Sequence, residues 1–358
     1  MKFTIDKSIL FKAVNKVQKA TDQRSSLPFL RGILIEAERD YLKLTATDLS
    51  LTIQCIIQGV DIQEIGRVLI SAKFFNDLLK KLSGEIAIET NGDKLKLTCG
   101  ELSANLNVLD SEDFPAIPAI LNPKELRLPT KALKTALNKT IHCTSSDDIR
   151  PVFSGVLFKA KENLINFVAT DTHRMAVLSR HIEESVEVNA IVPSKATKAM
   201  SSIFDDEVVR MQFGEEFAVF SCSEIKVITK LIEGQFPNYK AVIPSDPIAK
   251  FSVDKMILRN AIDRASIFCE KHYRIVKMAG GESLSVSGSS SLFGEVKETI
   301  KVEHEGEAVK IAFNSEFLLQ AINATSEERL VFKYSGSNGP MTICEDGYTQ
   351  LILPVRTE

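Results

Sequence analysis

The spacing of apolar residues at the start of the chain predicts a short strand followed by a helix. Residues 2–5 are strand-like, and apolar side chains then recur at helical spacing across residues 7–20. Asp6 directly precedes this segment, so we expect its carboxylate to cap the helix. The apolar stripe predicted to face the core is Ile9, Leu10, Ala13, Val14 and Val17.

The next 90 residues predict a series of short strands with one further helix. The helix covers 73–82, and Asn91-Gly92 is typical of a type I′ hairpin turn. Tight turns make adjacent strands antiparallel, so we expect a domain with two helices on one face of antiparallel sheets. The predicted strands after the first helix are 32–37, 41–46, 50–58, 66–71, 85–90, 94–98 and 102–108.

This pattern is repeated along the chain. Residues 3–14 (FTIDKSILFKAV) are matched by residues 251–262 (FSVDKMILRNAI) and, in pattern, by residues 126–137 (LRLPTKALKTAL). The proline-rich segments 110–123 and 234–247 have the composition of linkers between copies. We therefore predict an α+β protein of three similar domains. Their predicted bounds are 1–122, 123–247 and 248–358.

Shorter matches support the same repeat. Ala46-Thr47-Asp48 and Ala169-Thr170-Asp171 are separated by 123 positions, and Phe114-Pro115 and Phe236-Pro237 by 122. An ordered series of matches at nearly the same offset indicates duplication of a whole domain rather than chance similarity.

Positive charge is concentrated on the predicted helices, although the formal net charge of the chain is −3. Five of the six predicted helices carry 15 basic and two acidic residues, whereas the sixth, which begins at Ser315, has Glu316 and no nearby base. Such a surface binds phosphates without reading sequence, and the absence of interleaved aromatic residues favours duplex over single-stranded DNA. The lysines predicted to face DNA are Lys12, Lys16, Lys73, Lys80, Lys134, Lys139, Lys195 and Lys198.

The residues that could carry catalysis or bind a metal are sparse. No two of the six cysteines lie within four residues of each other, so we expect no zinc site and no cofactor. On a strand, Asp171 and His173 would point to the same face, and they form the one acid–base pair worth considering. The first residues lack an apolar leader and no run reaches 18 apolar residues, so a cytoplasmic location is expected.

Several motifs, taken together, resemble the bacterial DNA sliding clamp, the beta subunit of DNA polymerase III. They are LPFLRGILIEA, TATDLS, RPVFSGVLFKA, ATDTHRMAV, GQFPNYKAVIP and the ending LILPVR, in that order along the whole chain. The resemblance implies a head-to-tail homodimer whose six domains form a ring around duplex DNA. The implied partners are the replicative DNA polymerase, the clamp loader and other replication and repair proteins that bind clamps.

The resemblance also implies roles for individual residues. Arg24 and Arg150 correspond to DNA-contacting positions, although Pro151-Val152 replaces an aromatic pair that can follow the second arginine. The implied dimer contacts are Ile267 and Phe268 on one protomer against Lys73, Ala104 and Leu106 on the other. The deep half of the implied partner-peptide pocket is Thr170, Thr172, His173, Arg174, Met175, Pro237, Val242, Leu351 and Leu353. Its shallow half is Phe153, Asn314, Phe317, Pro354, Val355 and Arg356.

The sequence leaves two alternatives to a clamp. The first is a scaffold that binds duplex DNA through the same lysines without closing into a ring. The second is a hydrolase that uses Asp171 and His173. A ring would be retained on closed circular DNA, and a hydrolase would lose turnover when His173 is replaced.

Overall fold

The chain folds into two compact units of helices and antiparallel sheets. A computed structural model describes residues 1–147, 149–270 and 274–356, and these residues contain six α-helices and 26 strands. The first unit holds residues 1–134 and 195–232, and the second holds 135–194 and the chain from 233 onward. The segment predicted as the middle domain therefore contributes to both units.

Each predicted domain contains two of the six helices, and the helices are separated by groups of strands. The helices are α1 (Lys7–Val17), α2 (Ala72–Leu79), α3 (Thr130–Thr140), α4 (Ser194–Ile203), α5 (Lys255–Ile267) and α6 (Ser315–Ala324). The first thirteen strands are β1 (Lys2–Asp6), β2 (Gly32–Ala37), β3 (Tyr41–Thr47), β4 (Leu51–Gln58), β5 (Asp61–Glu64), β6 (Gly66–Ser71), β7 (Glu85–Asn91), β8 (Lys94–Cys99), β9 (Leu102–Asn107), β10 (Lys124–Pro129), β11 (Gly155–Lys161), β12 (Leu164–Thr170) and β13 (Arg174–His181). The others are β14 (Val188–Pro193), β15 (Val208–Phe213), β16 (Phe217–Cys222), β17 (Ile225–Lys230), β18 (Ala249–Asp254), β19 (Ile275–Gly280), β20 (Ser283–Ser290), β21 (Gly294–Lys301), β22 (Glu303–Gly306), β23 (Val309–Asn314), β24 (Arg329–Tyr334), β25 (Met341–Glu345) and β26 (Tyr348–Ile352).

Each unit contains one large and one small sheet. In the first unit the strand orders are β10-β15-β16-β17-β4-β3-β2-β6 and β5-β1-β7-β8-β9. In the second they are β14-β11-β12-β13-β26-β25-β24-β18-β22 and β21-β20-β19-β23. The large sheets join repeats, because β17 pairs with β4 in one and β13 pairs with β26 in the other. Each unit therefore contains strands from more than one repeat.

The amino-terminal helix forms where its sequence predicts. Asp6 accepts the backbone N–H of Ser8 at 2.8 Å and so caps α1, which continues as a 3₁₀ turn to Ala20. Leu10, Ala13, Val14 and Val17 are buried against β3 and β4. Ile9 was predicted to join them but is 49% exposed, because it lies at the edge of the apolar stripe.

Two local predictions needed correction. Strand β5 had no sequence signal, since Asp61–Glu64 is a short and largely exposed edge strand. The hairpin between β7 and β8 pairs Asn91 with Lys94, so its two turn residues are Gly92 and Asp93 rather than Asn91 and Gly92. Gly92 alone has positive φ, +60°, which fits a type II′ turn better than type I′.

Candidate functional site

The turn that links β12 to β13 is held rigidly by the carboxylate of Asp171. One oxygen, Oδ1, accepts the N–H groups of His173 and Arg174, both at 3.0 Å. The other, Oδ2, accepts Arg174 Nε at 2.9 Å. Thr170 Oγ1 accepts the N–H of Thr172 at 3.2 Å, and Thr172 adopts a left-handed φ of +76°. A non-glycine residue in this conformation is held there by its surroundings, and such positions concentrate at binding sites.

The geometry of this turn argues against an acid–base pair. Both oxygens of Asp171 are engaged by backbone N–H groups and by Arg174, and the ring of His173 stacks on Phe317 at a centroid distance of 6.3 Å. No hydrogen bond joins the His173 ring to the Asp171 carboxylate among the described contacts. The carboxylate therefore acts on the backbone of the turn and not on the imidazole.

Arg174 is a buried structural residue of the site. Its side chain is 8% exposed, and its guanidinium lies 4.1 Å from the ring centroid of Phe317 and donates to Gln320. The donors that face Asp171 and Gln320 are thus already used. Arg174 therefore holds the turn against α6.

A cavity of about 280 Å³ opens beside this turn. Met175 of β13 lies opposite Leu351 of β26, so the two strands form its floor. The cavity is mostly apolar, as expected for a site that accepts hydrophobic side chains. Its lining residues are Phe153, Thr170, Thr172, Arg174, Met175, Pro237, Asn238, Tyr239, Val242, Leu351 and Leu353. We call it the second-unit cavity.

A shallower groove of about 360 Å³ adjoins the second-unit cavity through residues that line both. It is more polar than the cavity and contains the predicted pocket residues His173 and Phe317. Its lining residues are Thr144, Ser145, Ser146, Asp147, Arg150, Phe153, Asp171, Thr172, His173, Arg174 and Phe317.

The structure brings most, but not all, of the predicted pocket residues together. Neither the second-unit cavity nor the adjoining groove is lined by Asn314, Pro354, Val355 or Arg356. Asn314 instead caps α6 by accepting the N–H groups of Glu316 and Phe317. The last strand is anchored close by, since the N–H of Leu353 donates to His173 O and that of Val355 donates to Ala312 O, both at 2.8 Å.

Two lining residues, Asn238 and Tyr239, were not among the predicted site residues. They follow Phe236-Pro237 in the motif GQFPNYKAVIP, in which the resemblance points only to Pro237 and Val242, so the motif itself is the signal that could have found them. The buried hydroxyl of Tyr239 has no hydrogen-bond partner among the described atoms.

Most of the lysines predicted to face DNA are accessible. Lys12, Lys73 and Lys198 are exposed with no ion pair in the described residues. The others have partners: Lys16 with Asp205 at 3.0 Å, Lys80 with Asp77 at 3.1 Å, Lys134 with Phe204 O at 2.9 Å, and Lys195 with Asp48. The carboxylates of Asp205 and Asp77 are exposed, and exposed ion pairs contribute little to stability, so Lys16 and Lys80 can exchange them for phosphates.

Lys139 must be removed from this set. It is buried, forms an ion pair with Glu345, and its ammonium lies 4.7 Å from the ring centroid of Tyr348. Tyr348 also donates its hydroxyl to Lys139 O at 2.6 Å. A lysine enclosed in this way has no surface to offer a phosphate, so the prediction that it contacts DNA is wrong.

Three successive family models match the chain. They describe the N-terminal domain of the DNA polymerase III beta subunit at residues 1–118, its central domain at 127–238 and its C-terminal domain at 240–356. The chain belongs to the DNA polymerase III beta subunit family.

Individual relatives agree with this family over their full length. Curated proteins named "Beta sliding clamp" from Staphylococcus aureus (strain Mu50 / ATCC 700699) and from Staphylococcus epidermidis are each 32% identical over 375 residues, which cover 100% of both sequences. The solved structure of the DNA polymerase sliding clamp from Bacillus subtilis is 30% identical, with a TM-score of 0.93 and full coverage of both chains. The beta subunit structure from Thermotoga maritima, 23% identical with a TM-score of 0.95, shares the fold.

In this beta-subunit chain, the two arginines predicted to contact DNA are exposed. Arg24 follows a turn in which Asp22 accepts its N–H at 2.9 Å, and the guanidinium carbon of Arg150 lies 5.9 Å from the ring centroid of Phe153. Pro151–Phe153 form a 3₁₀ turn, so the Pro151-Val152 replacement leaves an ordered loop after Arg150.

The predicted dimer contacts lie on separate elements of the two units. In the first unit, Lys73 is exposed on α2, and Ala104 and Leu106 are half-buried on β9 at the end of the small sheet. In the second, Ile267 ends α5 and is 73% exposed, while Phe268 is half-buried. An isoleucine exposed to this extent does not belong to the core of its unit.

Two further results bear on the chemistry. Within the described residues, no group of three or more His, Cys, Asp or Glu side chains is arranged to hold a metal ion. No helix among those residues combines the length and the apolar character needed to cross a membrane.

Proposed function

We propose that the protein is a DNA sliding clamp, a processivity factor that encircles duplex DNA and tethers the replicative polymerase. The observation that carries this proposal is the succession of three beta-subunit domain matches along the whole chain. The protein in this role supports the polymerase holoenzyme without an active site of its own. Its place of action is the cytoplasm, where bacterial replication takes place.

The proposed ring consists of two copies arranged head to tail. Each copy contributes three domains, at 1–122, 123–247 and 248–358. Ile267 and Phe268 of one copy meet Lys73, Ala104 and Leu106 of the other. The exposure of Ile267 and the position of β9 at a sheet end support this arrangement, because an unpaired strand edge and an exposed large side chain both favour association.

The helix lysines are proposed to face the duplex and contact its phosphates. Lys12, Lys73 and Lys198 require no rearrangement, whereas Lys16 and Lys80 exchange a surface carboxylate for a phosphate. Arg24 and Arg150 add to the same interaction. Contacts of this type are weakened by salt and are independent of sequence, which suits a protein that slides.

The second-unit cavity is proposed to receive an apolar side chain from an extended segment of the polymerase, the clamp loader or another clamp-binding protein. Its volume of about 280 Å³ and its Met175–Leu351 floor support this role. The adjoining groove, with His173 stacked on Phe317, is proposed to take the rest of the segment. Because Arg174 is enclosed, the exposed Arg356 is the better partner for a carboxylate of that segment.

The experiment that tests this function is primer extension by the cognate polymerase and clamp loader on a singly primed circular template. We expect wild-type protein to lengthen the products by more than about tenfold, and the variant Met175→Asp to give the short products of the polymerase alone. Products of equal length with and without the protein would contradict the proposal. A DNA-binding scaffold without a ring would not increase processivity, and a hydrolase would not require Met175.

A further inference from the structure

The first unit contains a turn with the same backbone as the Asp171 turn. Asp48 Oδ1 accepts the N–H groups of Ser50 and Leu51, at 2.9 and 2.7 Å, as Asp171 does with the residues two and three positions on. Thr47 Oγ1 accepts the N–H of Leu49 at 3.0 Å. The φ of Leu49 is +74°, against +76° for Thr172 at the matching position.

This turn also borders a cavity, of about 220 Å³, which we call the first-unit cavity. Thr52 and Ile228 pair across β4 and β17, just as Met175 and Leu351 pair across β13 and β26. Phe114 and Pro115 line this cavity, and Pro237, which lies 122 positions after Pro115, lines the second-unit cavity. The lining residues are Thr47, Leu49, Ser50, Thr52, Phe114, Pro115, Ala116, Ile117, Pro118, Phe217 and Ile228.

Leu49 is the residue that most clearly indicates a ligand. It is 55% exposed, and it is a bulky apolar residue in a left-handed conformation that asparagine or glycine would adopt with less strain. Neither its exposure nor its conformation improves the packing of the first unit. An apolar wall held in this way at a cavity mouth is suited to contact with another molecule.

The charges beside the two cavities differ. No charged residue lines the first-unit cavity, and the carboxylate of Asp48 is neutralised by Lys195. Exposed acids directly precede two of its walls: Asp113 before Phe114, and Glu215 and Glu216 before Phe217. Lys230 is the exposed base that follows Ile228 in β17. The groove beside the second-unit cavity instead carries both signs, since Arg150 and Arg174 line it together with Asp147 and Asp171.

We propose that the first-unit cavity is a second peptide-docking site, which takes an extended segment of a partner protein with a leucine-sized anchor flanked by lysine or arginine. The acidic rim selects the basic flanks, and Leu49, Phe217 and Ile228 enclose the anchor. The proposal rests on the proposed function in one respect only, namely that a clamp presents docking sites to partner proteins.

The test uses two fluorescein-labelled peptides of equal apolar content, Lys-Lys-Leu-Leu-Lys-Lys and Glu-Glu-Leu-Leu-Glu-Glu, titrated with the full-length protein. We expect the basic peptide to bind more tightly, with an increase in fluorescence polarisation. Leu49→Asn suits the left-handed backbone and removes the apolar wall, and it should weaken the basic peptide about tenfold. Ala116→Trp, at an exposed lining position, should occlude the cavity and give a similar loss.

Two controls separate this proposal from the proposed function. Met175→Asp disables the second-unit cavity and should leave the affinity of the basic peptide unchanged. Glu215→Gln combined with Glu216→Gln should weaken that peptide several-fold at low salt. Unchanged affinity of the basic peptide in both Leu49→Asn and Ala116→Trp would overturn the inference, as would tighter binding of the acidic peptide. Failure of Met175→Asp to shorten primer-extension products would count against the proposed function alone.

Discussion

The turns at Asp48 and Asp171 differ in what their carboxylates do beyond the backbone. Asp48 pairs with Lys195 at the surface, whereas Asp171 holds the buried Arg174, whose guanidinium stacks on Phe317. The hydrogen bonds to the turn itself are the same in both. Duplication has therefore kept the backbone scaffold, and the side chains at a few positions determine what each site can bind.

The helices show the same divergence. Lys16 of α1 and Lys139 of α3 are separated by the repeat offset of 123 positions. Lys16 pairs with Asp205 near solvent, whereas Lys139 pairs with Glu345 in the interior. One position thus serves as a surface charge in one copy and as a buried structural ion pair in the other.

The largest expected effect is on the second-unit cavity. Met175→Asp places an uncompensated charge in its apolar floor, so we expect affinity for a labelled carboxy-terminal peptide of the polymerase to fall by more than about 100-fold. Fluorescence polarisation measures this affinity, and the native mass of the variant shows whether it still forms the dimer. Leu49→Asn, at the other cavity, is the matched control and should leave this affinity unchanged. Comparable loss in both variants would show that the two cavities are not independent.

The next largest expected effect is the difference in stability between the buried ion pair of Lys139 and the surface ion pair of Lys16. Glu345→Ala leaves Lys139 buried without its counter-ion and removes the acceptor for the N–H of Ser326, so we expect it to lower the free energy of unfolding by about 3 kcal/mol. Asp205→Ala removes an exposed partner of Lys16 and should cost less than about 1 kcal/mol. Urea denaturation, monitored by circular dichroism, measures the free energy of unfolding of both variants. Equal losses would mean that the buried pair contributes no more than the surface pair.

The stability of the second unit should depend on pH through His142. Burial, reinforced by the positive charge of Arg174, lowers the pKa of His142 to about 4. The unfolded chain binds a proton here near pH 6.5 and the folded chain does not, so this contribution to stability is complete above pH 6.5 and is lost as the pH falls toward 4. We expect a loss of about 3 kcal/mol over that window. His142→Gln should flatten the urea midpoint between pH 6.5 and 4; an unchanged slope would exclude this histidine as the cause.

The smallest effect concerns Asp48. Burial opposes its ionisation, but hydrogen bonds from Lys195, the Ser50 hydroxyl and the Leu51 N–H outweigh burial and lower its pKa. Its stabilising effect is therefore present above pH 4 and is lost as the pH falls through the folded-state pKa. Asp48→Ala should cost about 1 kcal/mol at pH 7, less than Asp171→Ala, which also leaves Arg174 unpaired. Thermal unfolding of both variants at pH 7 measures the two losses of stability. A larger loss in Asp48→Ala than in Asp171→Ala would contradict this prediction.

Sequence patterns predicted the local structure well, because the signals are local. The apolar stripe Leu10, Ala13, Val14 and Val17, with Asp6 before it, defines α1 without any tertiary information. The hairpin after β7 was displaced by one residue, since the register of its strands depends on which side chains the sheet buries.

The errors at the candidate sites have a different origin. Nothing near Lys139 in the sequence indicates that Glu345, 206 positions away, will enclose it. The pairing of strands from different repeats likewise joins residues that are distant in sequence, such as Thr52 and Ile228. Asn238 and Tyr239 could have been included from their motif, but their position at the second-unit cavity follows only from the fold.

The most direct test of the clamp hypothesis is the lifetime of the protein on DNA after loading. We expect wild-type protein loaded on closed circular duplex to survive a salt wash that removes ordinary phosphate contacts, and to be released within minutes when the circle is cut once. The variant with Ile267→Ala and Phe268→Ala, expected to be monomeric, should be lost from both. Equal lifetimes of the wild-type protein on closed and cut circles would contradict the ring.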